Sequence, residues 1–380
     1  MRLQHISIAS LLGCAGALSH DALATQDTLN LRARSSSNGS PEAHKCSLGK
    51  AGVRKEWSKL SRPEKLNYIH ALKCLASKPS RTPASIAPGA KSRYDDFVVT
   101  HIQQTFSIHG TANFLSWHRY YVSAFEKALR DECGYKGYQP YNNWALWADD
   151  PKSNPLFDGS DTSISGDGYY VPGRNASCIP TPEICSIRLP PAHGGGCVTS
   201  GPLKDWKVHL GPLGSLSNFA PPNPQADGLG FNPRCISRDI NPYAANFTTQ
   251  ARVDDLLSGP TDIATFQDRM QSVAAPNAGV HAGGHFTISG DAGSDFFNSP
   301  SDPSFWFHHA MIDRLWWIWQ NQDLKTRQVA IAGTITLDNQ PPSRNGTLED
   351  VLDMGYAGVP NITLYDAMST MGGPFCYGYE

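Results

Sequence analysis

The chain has 380 residues, 40% of them apolar and 17% charged, a globular composition with room for one large domain or two small ones. Its 34 Gly and 28 Pro together exceed the ordinary share of ~12% yet stay short of low complexity, which predicts long ordered loops between few regular elements. A formal charge of −2 with no run of Lys and Arg leaves no basic stripe, so no nucleic-acid partner is expected and a small, weakly polar substrate fits better.

In chain order, the first element is an export signal over residues 1–24. Arg2 supplies its positive end and Ile6 to Leu18 its apolar stretch, with small-residue exits after Ala17, Ser19 or Ala24. Residues 25–45, polar and rich in Ser and Arg, read as a pro-segment cut near Arg32-Ala-Arg34 or as a disordered start of the mature chain. No later apolar run approaches ~20 residues, so a secreted, extracellular protein with no membrane partner is expected. Loss of the signal removes Cys14 and leaves Cys46, Cys74, Cys133, Cys178, Cys185, Cys197, Cys235 and Cys376. Their spacings do not resemble zinc pairs, and export permits up to four disulfides whose connectivity stays open. Asn38, Asn175, Asn246, Asn345 and Asn361 head Asn-x-Ser/Thr acceptors for glycosylation.

From residue 46 to 380 one continuous domain is predicted, because neither a repeat nor a hinge-like linker interrupts the chain. Helical spacing links Tyr94, Phe97, Val98 and His101, then Phe114, His118, Tyr121, Phe125 and Leu129. A further helix runs from about Asp262 to Val273, continuing or restarting into the segment with His281 and His285, and a last one carries Phe305, His309, Ile312, Trp316 and Trp319. Residues 150–245, crowded with Gly, Pro, Asn and Ser, read as long surface loops stapled by the four cysteines there. The fold class is therefore mainly α, a helical bundle under a coat of loops.

The histidines give this bundle a chemistry. His101, His109 and His118 fall within 18 residues, the outer two on apolar faces of consecutive helices. A lone imidazole on such a face is ordinarily a satisfied core residue; three together point to a metal. His281 and His285, at i and i+4, project from one helical face and can grip one ion. His309 shares the inward stripe of Phe305 and Trp316, whereas His308 points about 100° away on a helix of 3.6 residues per turn. Geometry thus selects His309 as the third ligand and leaves His308 beside it for support or packing. Two sets of three neutral imidazoles suit copper better than calcium, magnesium or iron–sulfur, and zinc with three His is chemically possible. A zinc protease would need a Glu next to His281 as base, and Ala282 stands there.

With these residues the sequence resembles the type-3 copper proteins: tyrosinases, catechol oxidases and oxygen-carrying haemocyanins. The resemblance is carried by Tyr94 to His101, Ser107-Ile-His109-Gly, Phe114-Leu-Ser-Trp-His118-Arg119 with Glu126, and His281-x-x-x-His285. Asp302-Pro-Ser-Phe-Trp-Phe-His308-His309-Ala-Met-Ile-Asp313-Arg314 and Cys376-Tyr377-Gly378-Tyr379, with Arg54 as partner of that tyrosine motif, complete it. The resemblance implies a four-helix bundle of antiparallel pairs. It also implies two copper ions, one held by His101, His109 and His118, the other by His281, His285 and His309. Phenolic substrates and O2 are the implied reactants. Ser107 replaces the family's frequent Cys, so no thioether bridge is expected. No C-terminal lid is expected beyond the tyrosine motif, and Asn142 replaces a frequent Trp. An oxygen carrier and a metal-stabilised structural domain stand as alternatives.

Around the coppers, the resemblance leads to further expectations. Each ligand imidazole binds through one nitrogen and donates from the other. Asp313 is a candidate acceptor for His309, or else pairs with Arg314 or Arg93. Phe305 should pack beneath the site. Phe296 or Phe297 gates the pocket or fills its loop, and Phe286 is a further gate candidate. Ala282, where strong tyrosinases often carry Asn or Asp, can neither donate nor accept, and Gln267 and Gln271 are uncharged although Asp268 lies between them. Oxidation of ortho-diphenols well above hydroxylation of monophenols is therefore expected.

Overall fold

The computed structural model describes residues 46–380 apart from Pro182, Asn218 and Ala275; the expected export signal, the expected pro-segment or disordered start, and Asn38 lie outside the described residues. Capping sets where the helices begin. A reciprocal Ser61–Glu64 cap with Pro63 in the first turn starts α1 (Arg62–Ser77), and Ser92 with Asp95 starts α2 (Arg93–Ile108). The next helix, α3 (Phe114–Cys133), stops where Gly134 turns left-handed at φ 68°. Then come α4 (Gln250–Ser258), α5 (Ile263–Gln271), α6 (Val280–Ile288) and α7 (Ser304–Gln322).

The predicted helix from Asp262 stops early. Ser272 becomes extended, Val273–Ala274 pairs with Asn277–Ala278, and the chain restarts as α6, which carries His281 and His285. Sequence periodicity did not reveal α1 or α4, although Ser61, Pro63 and Glu64 spell out a start signal for α1.

The core forms around α3, which packs against α1, α2 and α7. Phe125 of α3 stacks on Trp306 of α7 at 3.7 Å between centroids, and Phe97 of α2 meets Phe125 edge-on at 5.3 Å. The buried Tyr94 hydroxyl donates to the Pro300 carbonyl and accepts from the Trp306 indole, so the polar atoms inside this aromatic layer are satisfied. Helix α6 lies against α5 and α7.

Residues 150–245 hold short two-stranded ladders rather than bare loop. Gly168–Tyr170 pairs with Gly195–Val198, and Ser177–Pro180 with Cys185–Leu189. The cysteines there bond as Cys178–Cys185 and Cys197–Cys235, while Cys74–Cys133 ties α1 to the end of α3. The 177–189 hairpin buries Ile179, Ile187 and Leu189 in a small apolar cluster that also takes Ala282 and Phe286 of α6. No helix among the described residues is long and apolar enough to cross a membrane.

Cys46–Cys376 closes the chain across 330 residues, beside a parallel pairing of Gly52–Arg54 with Tyr377–Tyr379. This strap delivers Arg54 into the interior. Because the bridge constrains a very long loop in the unfolded chain, the Cys46→Ser, Cys376→Ser double variant is expected to lose about 2–5 kcal/mol. Urea unfolding at equilibrium checks it, and an unshifted midpoint would show that the strand pairing alone holds the ends.

Candidate metal centre

His101 lies on α2, and His109 follows where that helix ends and the backbone turns extended. The chain then reverses through Gly110 at φ 57°, where a Cβ would come within 2.6 Å of the Asp338 carboxylate, and α3 presents His118. Ligand nitrogens of these histidines lie within 4.8 Å of one another. His281, His285, His308 and His309 form a second such group on α6 and α7. Gly284 permits the close approach of these helices, since a Cβ there would meet the His308 ring at 2.3 Å. The groups abut: His118 and His309 stack with centroids 4.4 Å apart.

Hydrogen bonding fixes which nitrogen of the first group is free. The Nδ1 atoms of His101, His109 and His118 donate to the carbonyls of Phe297, Thr105 and Phe114 at 2.7, 2.9 and 2.8 Å. A carbonyl can only accept, so each Nδ1 carries the proton and each Nε2 keeps its lone pair. In the second group, the Nε2 atoms of His285 and His309 face each other at 3.2 Å. His308 differs. Its Nδ1 accepts from the Trp144 indole at 3.1 Å, which places the ring proton on Nε2 and leaves no lone pair for a metal.

Burial lowers every one of these imidazole pKa values, with neighbouring rings adding to the effect at His101, His118, His281, His285 and His309. His109 falls to about 4 and His308 to about 3. At neutral pH all seven are neutral, the form that binds metal. Among the described residues, the Nε2 atoms of His101 and His118, lone pairs by the bonding above, are buried with no hydrogen-bond partner, as are His281 Nε2, His308 Nε2 and His309 Nδ1. Orphaned buried polar atoms cost about 1–3 kcal/mol each, so clustered lone pairs of this kind fit a borderline-soft cation held by imidazole.

Phe305 packs against His309 at 4.1 Å and His101 at 5.4 Å, and Phe114 against His118 and His281 at 4.8 and 4.9 Å. Phe296, 37% exposed, lies 4.7 Å from the His109 ring. Phe286 and Ala282 sit to one side, in the cluster under the 177–189 hairpin. Gln267 donates to the Ala332 carbonyl, and Gln271 accepts from the Gly110 amide beside His109. Asp268 is exposed. Ser107 is also exposed, with its hydroxyl on the Gln104 carbonyl.

Asp313 corrects an expectation. It does not accept from His309 and pairs with neither Arg314 nor Arg93. Its carboxylate instead takes Arg119 at 2.6 Å, Arg54 at 3.2 Å, and the Tyr377 and Tyr379 hydroxyls at 2.6 and 2.5 Å. Arg93 pairs with Asp96 and Glu132, and Arg314 lies over Tyr141. Sequence reading also missed Trp144 and the Phe297 carbonyl, since a backbone acceptor carries no side-chain signal.

Two adjoining clusters of neutral imidazole, facing each other across aromatic packing, define a dinuclear metal protein. Residues 91–322 match the family model for the common central domain of tyrosinase. The chain is 47% identical over 311 residues to the tyrosinase-like protein orsC of Emericella nidulans, covering 79% of this chain and 82% of that one. Tyrosinase P of Aspergillus terreus is 41% identical over 334 residues, 86% of this chain and 91% of its own. The structure of a polyphenol oxidase variant from Thermothelomyces thermophila is 44% identical with a TM-score of 0.84, over 95% of this chain and 94% of that one. The chain belongs to the tyrosinase family of type-3 copper proteins: it is a copper oxidoreductase with a dinuclear copper site, of the kind that acts on phenols with O2.

Proposed function

We propose that this chain is a secreted catechol oxidase, converting ortho-diphenols to ortho-quinones and hydroxylating monophenols weakly. In this reading His101, His109 and His118 hold one copper and His281, His285 and His309 the other, and α2, α3, α6 and α7 form the four-helix bundle that carries them. The carrying observation is the hydrogen bonding. Three Nδ1–H groups committed to carbonyls aim their Nε2 lone pairs inward, opposite a second group in which Trp144 sets His308 apart. Bound copper supplies the electron transfer from phenol to O2. The protein's own part is positioning: neutral imidazoles add no charge, while Phe305 and Phe114 keep water from the inner side.

Copper analysis with oxygen uptake on catechol tests this reading. Two coppers per chain and rapid uptake are expected; a single ion per loaded chain, or reversible oxygen binding without turnover, would overturn it. Four disulfides and the exposed acceptors Asn175, Asn246, Asn345 and Asn361 support passage through a secretory route.

Selectivity turns on a base. A phenol with pKa ~10 keeps its proton at neutral pH unless a carboxylate or an oriented water removes it. Gln271, next in space to Gly110, is an amide already accepting from that residue, and Ala282 offers no polar atom. Ala282→Asn is expected to raise the ratio of tyrosol to catechol rates, with some loss of stability because the site packs with Ile179 and Ile187. Steady-state rates on both substrates decide it; an unchanged ratio would mean that access, and not this position, sets the preference.

A further inference from the structure

Phe296 touches the His109 ring at 4.7 Å, Phe297 meets Phe296 at 5.5 Å, and Phe106 of α2 meets Phe297 edge-on at 5.2 Å. Three aromatic rings thus run without a break from the histidines to Phe106, which is 61% exposed. A single exposed Phe needs no explanation. This one differs because its contact partner belongs to the segment that holds the site: the Phe297 carbonyl is the acceptor for His101.

The segment is also fixed. The Asp295 carboxylate, buried and paired with no cation among the described residues, accepts from the backbone N–H groups of Leu213, Gly214, Phe297 and Asn298 at 2.8, 3.1, 2.8 and 3.1 Å. Gly214 backs the Phe297 ring so closely that a Cβ would lie 3.2 Å from it. Rigid rings beside His109 make a preorganised surface, and such a surface loses little entropy when a flat group settles on it.

We propose that Phe296, Phe297 and Phe106 form an aryl subsite leading out of the copper pocket, which selects phenols carrying a second flat ring over simple phenols. The proposal rests on the phenol-oxidising reading above. The reacting ring lies at the histidines, and the second ring lies against Phe297 and Phe106 in the edge-on or offset contacts that aromatic pairs prefer.

The test compares kcat/KM for 4-phenylcatechol, 4-cyclohexylcatechol and catechol in the copper-loaded parent and in Phe106→Ala, a surface change that leaves the core intact. The ratio of 4-phenylcatechol to catechol should exceed one in the parent and fall about 3- to 10-fold in the variant, the scale of one lost aromatic contact. A ratio that does not fall, or an equal fall for the cyclohexyl compound, overturns an aryl subsite. Calorimetric binding of 4-phenylphenol and phenol under argon reads the same surface without turnover. Weaker binding of 4-phenylphenol alone in Phe106→Ala supports the subsite even if catechol is not oxidised, an outcome that would sink the reaction instead. Equal affinities in parent and variant overturn the subsite even if catechol is oxidised.

Discussion

His309→Ala is expected to abolish phenol oxidation and to leave at most one copper per chain, whereas His308→Ala should retain both coppers and much of the activity. The residues are adjacent and equally buried, so burial does not separate them. Hydrogen bonding does. His308 Nδ1 is occupied by the Trp144 indole, which commits its other nitrogen to carrying the proton. His309 stacks between Phe305 and His118 with its Nε2 turned to His285. Loss of His308 orphans one indole N–H at a cost of about 1–3 kcal/mol, a stability effect without a metal effect. Metal analysis and oxygen uptake on both variants read the difference; copper lost from His308→Ala and kept by His309→Ala would reverse the assignment.

The stripe that picked out His309 was legible because a helix repeats every 3.6 residues, and an inward face shows in the sequence as Phe305, His309, Ile312 and Trp316. The same holds for His101 on α2 and His118 on α3. The surroundings of Asp313 were legible only in part. The resemblance paired Arg54 with the tyrosine motif, and a parallel pairing of the two ends of the domain brings them together, but that they and Arg119 of α3 converge on Asp313 is encoded by no local pattern. One turn beyond His309 on the same helix, Asp313 looked like a neighbour of the imidazole, yet its carboxylate turns to the arginines. The 177–189 hairpin was missed for another reason: strands of four and five residues between Pro and Gly are too short for alternation to show.

The Asp313 cluster yields a second large effect, one of stability. Asp313, Arg54 and Arg119 are essentially out of water, and Arg54 also bonds Glu126 and lies 3.6 Å over the Tyr377 ring. A buried ion pair contributes little net stability beside an apolar alternative, but removing one partner strands the others. Asp313→Ala leaves two guanidinium groups without their shared carboxylate and two tyrosine hydroxyls without an acceptor, and should cost roughly 3–5 kcal/mol. Asp313→Asn keeps one acceptor oxygen but sets an NH2 donor in place of the other and loses the charge, and should fall between. Acid titration gives the matching signature. Burial alone would raise the Asp313 pKa, but the charges of Arg119 and Arg54 and the tyrosine hydroxyls outweigh it and hold the value below the ordinary one. With the folded value below the unfolded one, this stabilisation is complete above the ordinary Asp pKa of ~3.9 and is lost as pH falls through the depressed value. The parent should therefore lose stability below about pH 4, and Asp313→Asn should lose less over that interval. Urea midpoints at neutral and acid pH, with copper content measured alongside, decide between the roles. A midpoint unchanged at neutral pH together with weakened copper binding would mean that Asp313 serves the histidines after all, and that the strap through Arg54 is held elsewhere.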